Sequence, residues 1–154
     1  MTATGTLVYA DDLVLDSPYP VGSHTVTHRE IVDFAAQWDP QAMHIDDEAA
    51  ADGRYGEVIA SGIHTMGIFQ RLAVTNAYRG WDIIAGRRIG RMEFTKVVKP
   101  GAVLTGSVTI TAVDHRSDHH SLVFKYGRLW DAEGDLVFSL EAEAYMGRPP
   151  GSTL

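Results

Sequence analysis

The sequence predicts an α+β fold in which one antiparallel sheet wraps around one long helix. Residues 62–77 form the most apolar helix-like stretch, with Ile63, Met66, Ile68, Phe69, Leu72, Ala73 and Val74 spread around the axis. A helix apolar over so much of its circumference is expected to be largely enclosed. From Ile83 onward the pattern changes to a strand period, in four runs at 86–97, 103–114, 121–130 and 136–146. Lys99-Pro100-Gly101, residues 115–120 and residues 131–135 mark the turns between them. Runs of similar length joined by short links pair most simply as an antiparallel meander.

The remaining elements follow in chain order. Residues 1–20 read as an irregular lead-in closed by Pro18 and Pro20, and residues 21–27 as a short strand rich in β-branched side chains. Thr27 is a good N-cap, and Glu30 three residues on completes a capping box. The helix that follows places Ile31, Phe34, Ala35 and Trp38 on one face. Pro40 stops it and pushes Asp39 out of the α region. Residues 46–53 suggest a short helix ending at Gly53, with Asp46, Asp47 and Glu48 favourable in its first turn. Ser61 or Gly62 opens the central helix, and the Gly/Pro-rich residues 147–154 read as a frayed tail.

The whole of 1–154 is expected to be a single domain, long enough to bury one core. A net charge of −7 argues against nucleic-acid binding, because neutralising phosphates needs a basic face. The absence of Cys excludes disulfides, thiolate nucleophiles and Cys-ligated metals. No apolar run has the length to cross a bilayer, so no membrane contact is expected. The acidic start, with Asp11, Asp12 and Asp16, does not fit a signal peptide, and a cytoplasmic setting is expected.

Asp39 and His44 stand five residues apart on the loop after the first helix. An Asp before Pro is commonly a turn residue, and a lone loop His is commonly solvated. A carboxylate and an imidazole that share a water, however, form an acid–base pair of the kind that supplies about 10²–10⁴ in rate. Gly62 has a structural reading as a helix entry where no side chain fits. It also has a functional one: free N–H groups there, aided by the helix dipole, hold a developing oxyanion.

Together, Trp38-Asp39-Pro40-Gln41-Ala42-Met43-His44, Ile59-Ala60-Ser61-Gly62-Ile63-His64 and Val98-Lys99-Pro100-Gly101 resemble the MaoC-like acyl dehydratases, relatives of the (R)-specific enoyl-CoA hydratases. The family motif D-x-N-P-x-H has its acid and histidine at Asp39 and His44. Gln41 stands where the family has Asn, and Ala42 where it has Pro. The resemblance implies a single hot-dog fold and reversible addition of water to a trans-2-enoyl thioester. It also implies that Asp39 and His44 hold the catalytic water and that the Gly62 N–H polarises the thioester carbonyl. Trp38, Gln41, Ser61, Ile63 and His64 would then be substrate-binding. The implied partners are an acyl-CoA or acyl-carrier-protein thioester and, through edge-to-edge pairing, a homodimer or dimer of dimers. Coenzyme A belongs to the substrate, so no separate cofactor and no metal are expected. The serine that assists in some members is replaced by Gln70, and its role is not carried over.

Two rival readings remain. A hot-dog thioesterase needs an acid on the central helix, and none lies between Gly62 and Arg79. A non-catalytic acyl-CoA-binding subunit has no chemical reason to keep both Asp39 and His44. For His64, capping or packing competes with lining the acyl pocket. His24, His28, His115, His119 and His120 read as surface positions. Arg87, Arg88 and Arg91 either meet coenzyme A phosphates or guard a strand edge.

Overall fold

The computed structural model describes residues 5–154; residues 1–4 of the expected lead-in lie outside the described residues. Strand β1 (Pro18–Thr25) leads into helices α1 (His28–Trp38), α2 (Ala42–Ile45), α3 (Asp47–Ala51) and α4 (Gly62–Leu72), and α4 ends in a π-helical turn, Ala73–Ala77. Strands β2 (Ile83–Phe94), β3 (Val103–His115), β4 (His120–Trp130) and β5 (Leu136–Gly147) follow. All five strands form one antiparallel sheet in the order β1-β3-β4-β5-β2. The sheet curls around α4: this is the hot-dog fold.

The simple meander is corrected by this order. Only β3, β4 and β5 are paired as successive neighbours, while β2 pairs with β5 at the far edge. Residues 95–102 are therefore a crossover and not a hairpin. Backbone bonds fasten them along the way: Thr95 N–H to Val137 O (2.9 Å), Ala60 N–H to Val98 O (2.8 Å) and Gly101 N–H to Val26 O (2.7 Å). Gly101, at φ +87°, supplies the left-handed residue for the final bend.

Strand β1 starts earlier than expected, at Pro18. Both prolines fit because β1 is an edge strand, where a missing N–H need not break the ladder. The lead-in is also less irregular than expected, with bridges from Val8 to Trp81 and from Leu15 to Ile110. Nor is the tail frayed: Arg148 pairs with Asp11 at 3.0 Å, and Leu154 N–H donates to Asp118 at 2.8 Å.

Thr27 caps α1 by accepting from the Glu30 N–H. The Glu30 carboxylate turns to the Thr27 hydroxyl and to His24 instead of the cap backbone, so only half of the capping box forms. The core lies between the sheet and the helices, with Ile31, Phe69, Leu104, Leu129 and Phe138 buried. Each such side chain contributes about 1.5–3 kcal/mol. The helix α4 is less enclosed than expected: Ile63 and Val74 are 56% and 49% exposed, so one side of the helix is uncovered in the single chain. No helix among the described residues is long and apolar enough to cross a membrane.

Candidate active site

The site is built where α1 ends. Pro40 cannot continue the helix, and Asp39 leaves the helical region (φ −156°, ψ 67°). Gln41 N–H closes a tight turn on the Asp39 carbonyl at 2.8 Å, and α2 starts at once, with His44 on its only turn. The segment before α4 runs back beside α2, held by the Ile59 N–H to Met43 O bond (3.1 Å).

This backbone proximity fixes the imidazole. His44 Nδ1 lies 2.6 Å from the Ile59 carbonyl oxygen. A carbonyl only accepts, so Nδ1 carries the proton, and Nε2 is the basic nitrogen of the neutral ring. Nε2 faces Asp39 Oδ2 at 3.4 Å, and the ring is buried.

Asp39 is held from two sides. Gln41 Nε2 donates to Oδ1 at 2.7 Å, and the Ser61 hydroxyl donates to Oδ2 at 2.7 Å. These bonds, led by that of Ser61, hold the carboxyl below its ordinary 3.8, with His44 adding a smaller effect. Asp39 is therefore an acceptor at neutral pH. Ser61 is the N-cap of α4 by position, yet its side chain makes no cap bond. It donates its hydrogen bond to Asp39 instead.

The α4 amino terminus follows directly. Its first N–H groups have no intrahelical partner and carry the positive end of the helix dipole. Gly62 lets the Phe94 ring pack close, since a Cβ would lie 2.9 Å from that ring and force it to shift. Asp39, His44, Ser61, Gly62 and Ile63 line one cavity of about 470 Å³, closed on the other side by Met92, Phe94 and residues 95–98 of the crossover. A carboxylate, a basic imidazole nitrogen and a helix amino terminus thus share one cavity. That arrangement can hold a water by two hydrogen bonds while a carbonyl oxygen meets backbone N–H groups.

Two predicted contacts are corrected. Trp38 is 69% exposed and does not line the cavity. Ile31 and Ala35 of the same helix stripe are buried, but Trp38, one turn beyond, overruns the core. His64 turns away from the cavity: it stacks on Phe34 (4.8 Å between ring centres), and its Nε2 lies 3.4 Å from Glu30 Oε1. Helical period explains this, for Ile63 and Met66 share the open side while His64 and Ile68 share the covered one. Burial lowers the His64 pKa, and the Glu30 charge only partly offsets it. Gln41 and Ser61 do line the cavity, with their polar hydrogens committed to Asp39. Phe94 was not anticipated, and a phenylalanine in an edge strand carries no local signal of a contact to residue 62.

The basic trio is paired by carboxylates. Arg87 and Arg88 both meet Glu143, and Arg91 meets Glu93. His115 and His120 bond Ser121 and Ser117 within the β3–β4 hairpin.

Three comparisons bear on this geometry. The family model described as MaoC like domain matches residues 14–127. YdeM of Bacillus subtilis (strain 168), an uncharacterised protein, is 39% identical over 90 residues, 58% of this chain; the match spans 64% of that relative's own length. The MaoC-like dehydratase from Rhodospirillum rubrum superposes with a TM-score of 0.82 at 27% identity, over 93% of this chain and 99% of that one. The (R)-hydratase from A. caviae involved in PHA biosynthesis agrees in fold, with a TM-score of 0.71 at 21% identity, over 86% of this chain and 96% of that one.

Proposed function

This chain belongs to the MaoC-like domain family, and from that premise we propose that it is a hydro-lyase adding water reversibly across a trans-2-enoyl thioester. The observation that carries the reading is the Asp39–His44 pair, 3.4 Å apart, in one cavity with the amino end of α4. A water between Asp39 Oδ2 and His44 Nε2 donates to both and turns a lone pair toward the substrate. Its oxygen bonds to Cβ, and a proton carried across the pair ends on Cα, so the enzyme returns to its starting state. Charge that develops on the thioester oxygen is met by the Gly62 N–H. One such donor is worth about 10²–10³ in rate.

The thioester is on coenzyme A or an acyl-carrier protein, and the chain acts as a homodimer or a dimer of dimers. Support for the dimer comes from β2, an outer strand with Ile83, Ile84 and Ile89 exposed. Such an edge is normally covered or blunted.

Hydration of crotonyl-CoA and of longer and branched enoyl-CoAs, followed by loss of enoyl absorbance, tests the reading. Asp39→Asn and His44→Ala are each expected to lower kcat/KM by about 10²–10⁴. Absence of turnover with every substrate, or variants as active as the parent, would refute it.

A further inference from the structure

A larger cavity, about 640 Å³, lies beyond the acid–base pair. It is bordered by the same two elements, read further along each. The catalytic cavity takes Gly62, Ile63 and Thr65 from α4 and Phe94 and Met92 from β2. The larger one takes Met66, Phe69, Gln70 and Val74 from the helix and Ile89 and Ile83 from the strand. Helix and strand advance in opposite directions, so the two cavities lie one after the other between the same helix and strand, along one line that would form a groove. From Ile63 to Val74 it follows the helix for roughly 16 Å at about 1.5 Å per residue.

In the larger cavity Met66, Phe69, Val74, Leu140, Ala142 and Ala144 supply an apolar wall, and the charged side chains are Arg87, Arg88, Glu143 and, from β4, Lys125. Its direction follows from strand period: Gly127, two residues on, sits against the Phe69 ring of α4, so Lys125 points to the same helix-facing side. Its ammonium lies 4.1 Å from the centre of the Tyr78 ring and, among the described residues, has no carboxylate partner. The one acid lining the larger cavity, Glu143, is taken by Arg87 and Arg88. Three cations thus face one carboxylate in a chain whose net charge is −7.

We propose that this groove receives the acyl part of the substrate and that Lys125 binds a carboxylate at its distal end, making the substrate class ω-carboxylated enoyl thioesters. The proposal rests on the hydratase reading for the word substrate, but the binding site stands on its own geometry. An ammonium on an aromatic face beside an apolar wall gains most from an anion that brings its own hydrophobic stem. Burial holds Lys125 down to about 8, which keeps it mostly charged at neutral pH. The groups that face it are Tyr78, Arg87, Arg88 and Glu143. The two arginines stay charged, so a preference for carboxylate that depends on Lys125 fades as the pH rises above about 8.

Calorimetric binding of sebacoyl-CoA and decanoyl-CoA, saturated and therefore inert to hydration, compares a carboxylate end with a methyl end at matched length. The carboxylate ligand is expected to bind at least about tenfold more tightly. Lys125→Met should remove that preference and Lys125→Arg should keep it. Lys125→Met removes a desolvated charge, so it is expected to fold with an unchanged or higher Tm. Equal binding of the two ligands by the parent, or a preference that survives Lys125→Met, overturns the proposal. Failure of every enoyl-CoA to turn over bears on the hydratase reading alone, because the binding contrast needs no chemistry.

Discussion

At the scale of single residues, the site depends on short sequence distances and on a few contacts that are long in sequence. Asp39 and His44 were legible because Pro40 ends one helix and the next begins within two residues, which leaves the pair little freedom. The bond from Ser61 to Asp39 spans 22 residues, and no local pattern encodes it. The need for glycine at position 62 was legible as a helix entry, but its cause was not. The cause is the ring of Phe94, the last residue of β2, whose place beside β5 the local pattern does not give. Gly62→Ala should therefore cost about 1–3 kcal/mol through overpacking. In a Phe94→Ala background the same substitution should cost far less, since the ring atoms at 2.9 and 3.0 Å are gone. A double-mutant cycle by urea denaturation measures this, and additive costs would mean that backbone conformation, not the ring, demands the glycine.

At the scale of elements, the strand runs and the central helix were readable from period alone, and their pairing was not. Hydrophobic period reports which face is buried but not which neighbour a strand takes, so β2 could be located without being placed beside β5. The π turn at Ala73–Ala77 was equally hidden within an apolar pattern that reads as continuous helix. The packing of α1 on α4 has a titratable contact at its centre: His64 lies between Phe34 and Glu30, and Glu30 also bonds His24 at 2.7 Å. Because burial holds folded His64 below its ordinary 6.5, the unfolded chain binds that proton more tightly. Stability from this group is thus complete above about 6.5 and is lost as the pH falls below it. Burial alone would raise the Glu30 carboxyl, but His24 and Thr27 outweigh it and hold it below 4.5. Its contribution is present above 4.5 and is lost only at lower pH. Between these limits Tm is expected to fall with acid in the parent and to fall less steeply in His64→Gln. Equal slopes from thermal scans across that window would remove His64 as the cause.

At the scale of the whole molecule, the single chain leaves one side unfinished, and that side was the part of the enclosure argument that failed. The apolar circumference of α4 predicts a largely enclosed helix, yet Ile63 and Val74 are open in the single chain, as are Ile84 and Ile89 on β2. Ile63, Val74 and Ile89 line the cavities that lead from the acid–base pair to Lys125. An outer strand with aliphatic side chains and an unpaired ladder edge is a template for another strand, and evolution usually blunts such edges with charge. Here Arg87, Arg88 and Arg91 are on the strand, but Glu143 pairs with the first two and Glu93 with the third, so one net positive charge remains to repel a second copy. A second chain laid along β2 would extend the sheet and roof the groove, giving the acyl part an enclosed path. Sedimentation of the parent at micromolar concentration should therefore report about twice the 16.8 kDa of one chain, or four times it. Ile84→Lys, which places a charge on the exposed face of β2, should shift the mass toward one chain and weaken hydration without altering Asp39 or His44. A parent that sediments as a monomer, or an unchanged mass in the variant, would mean that the β2 edge is not where copies meet.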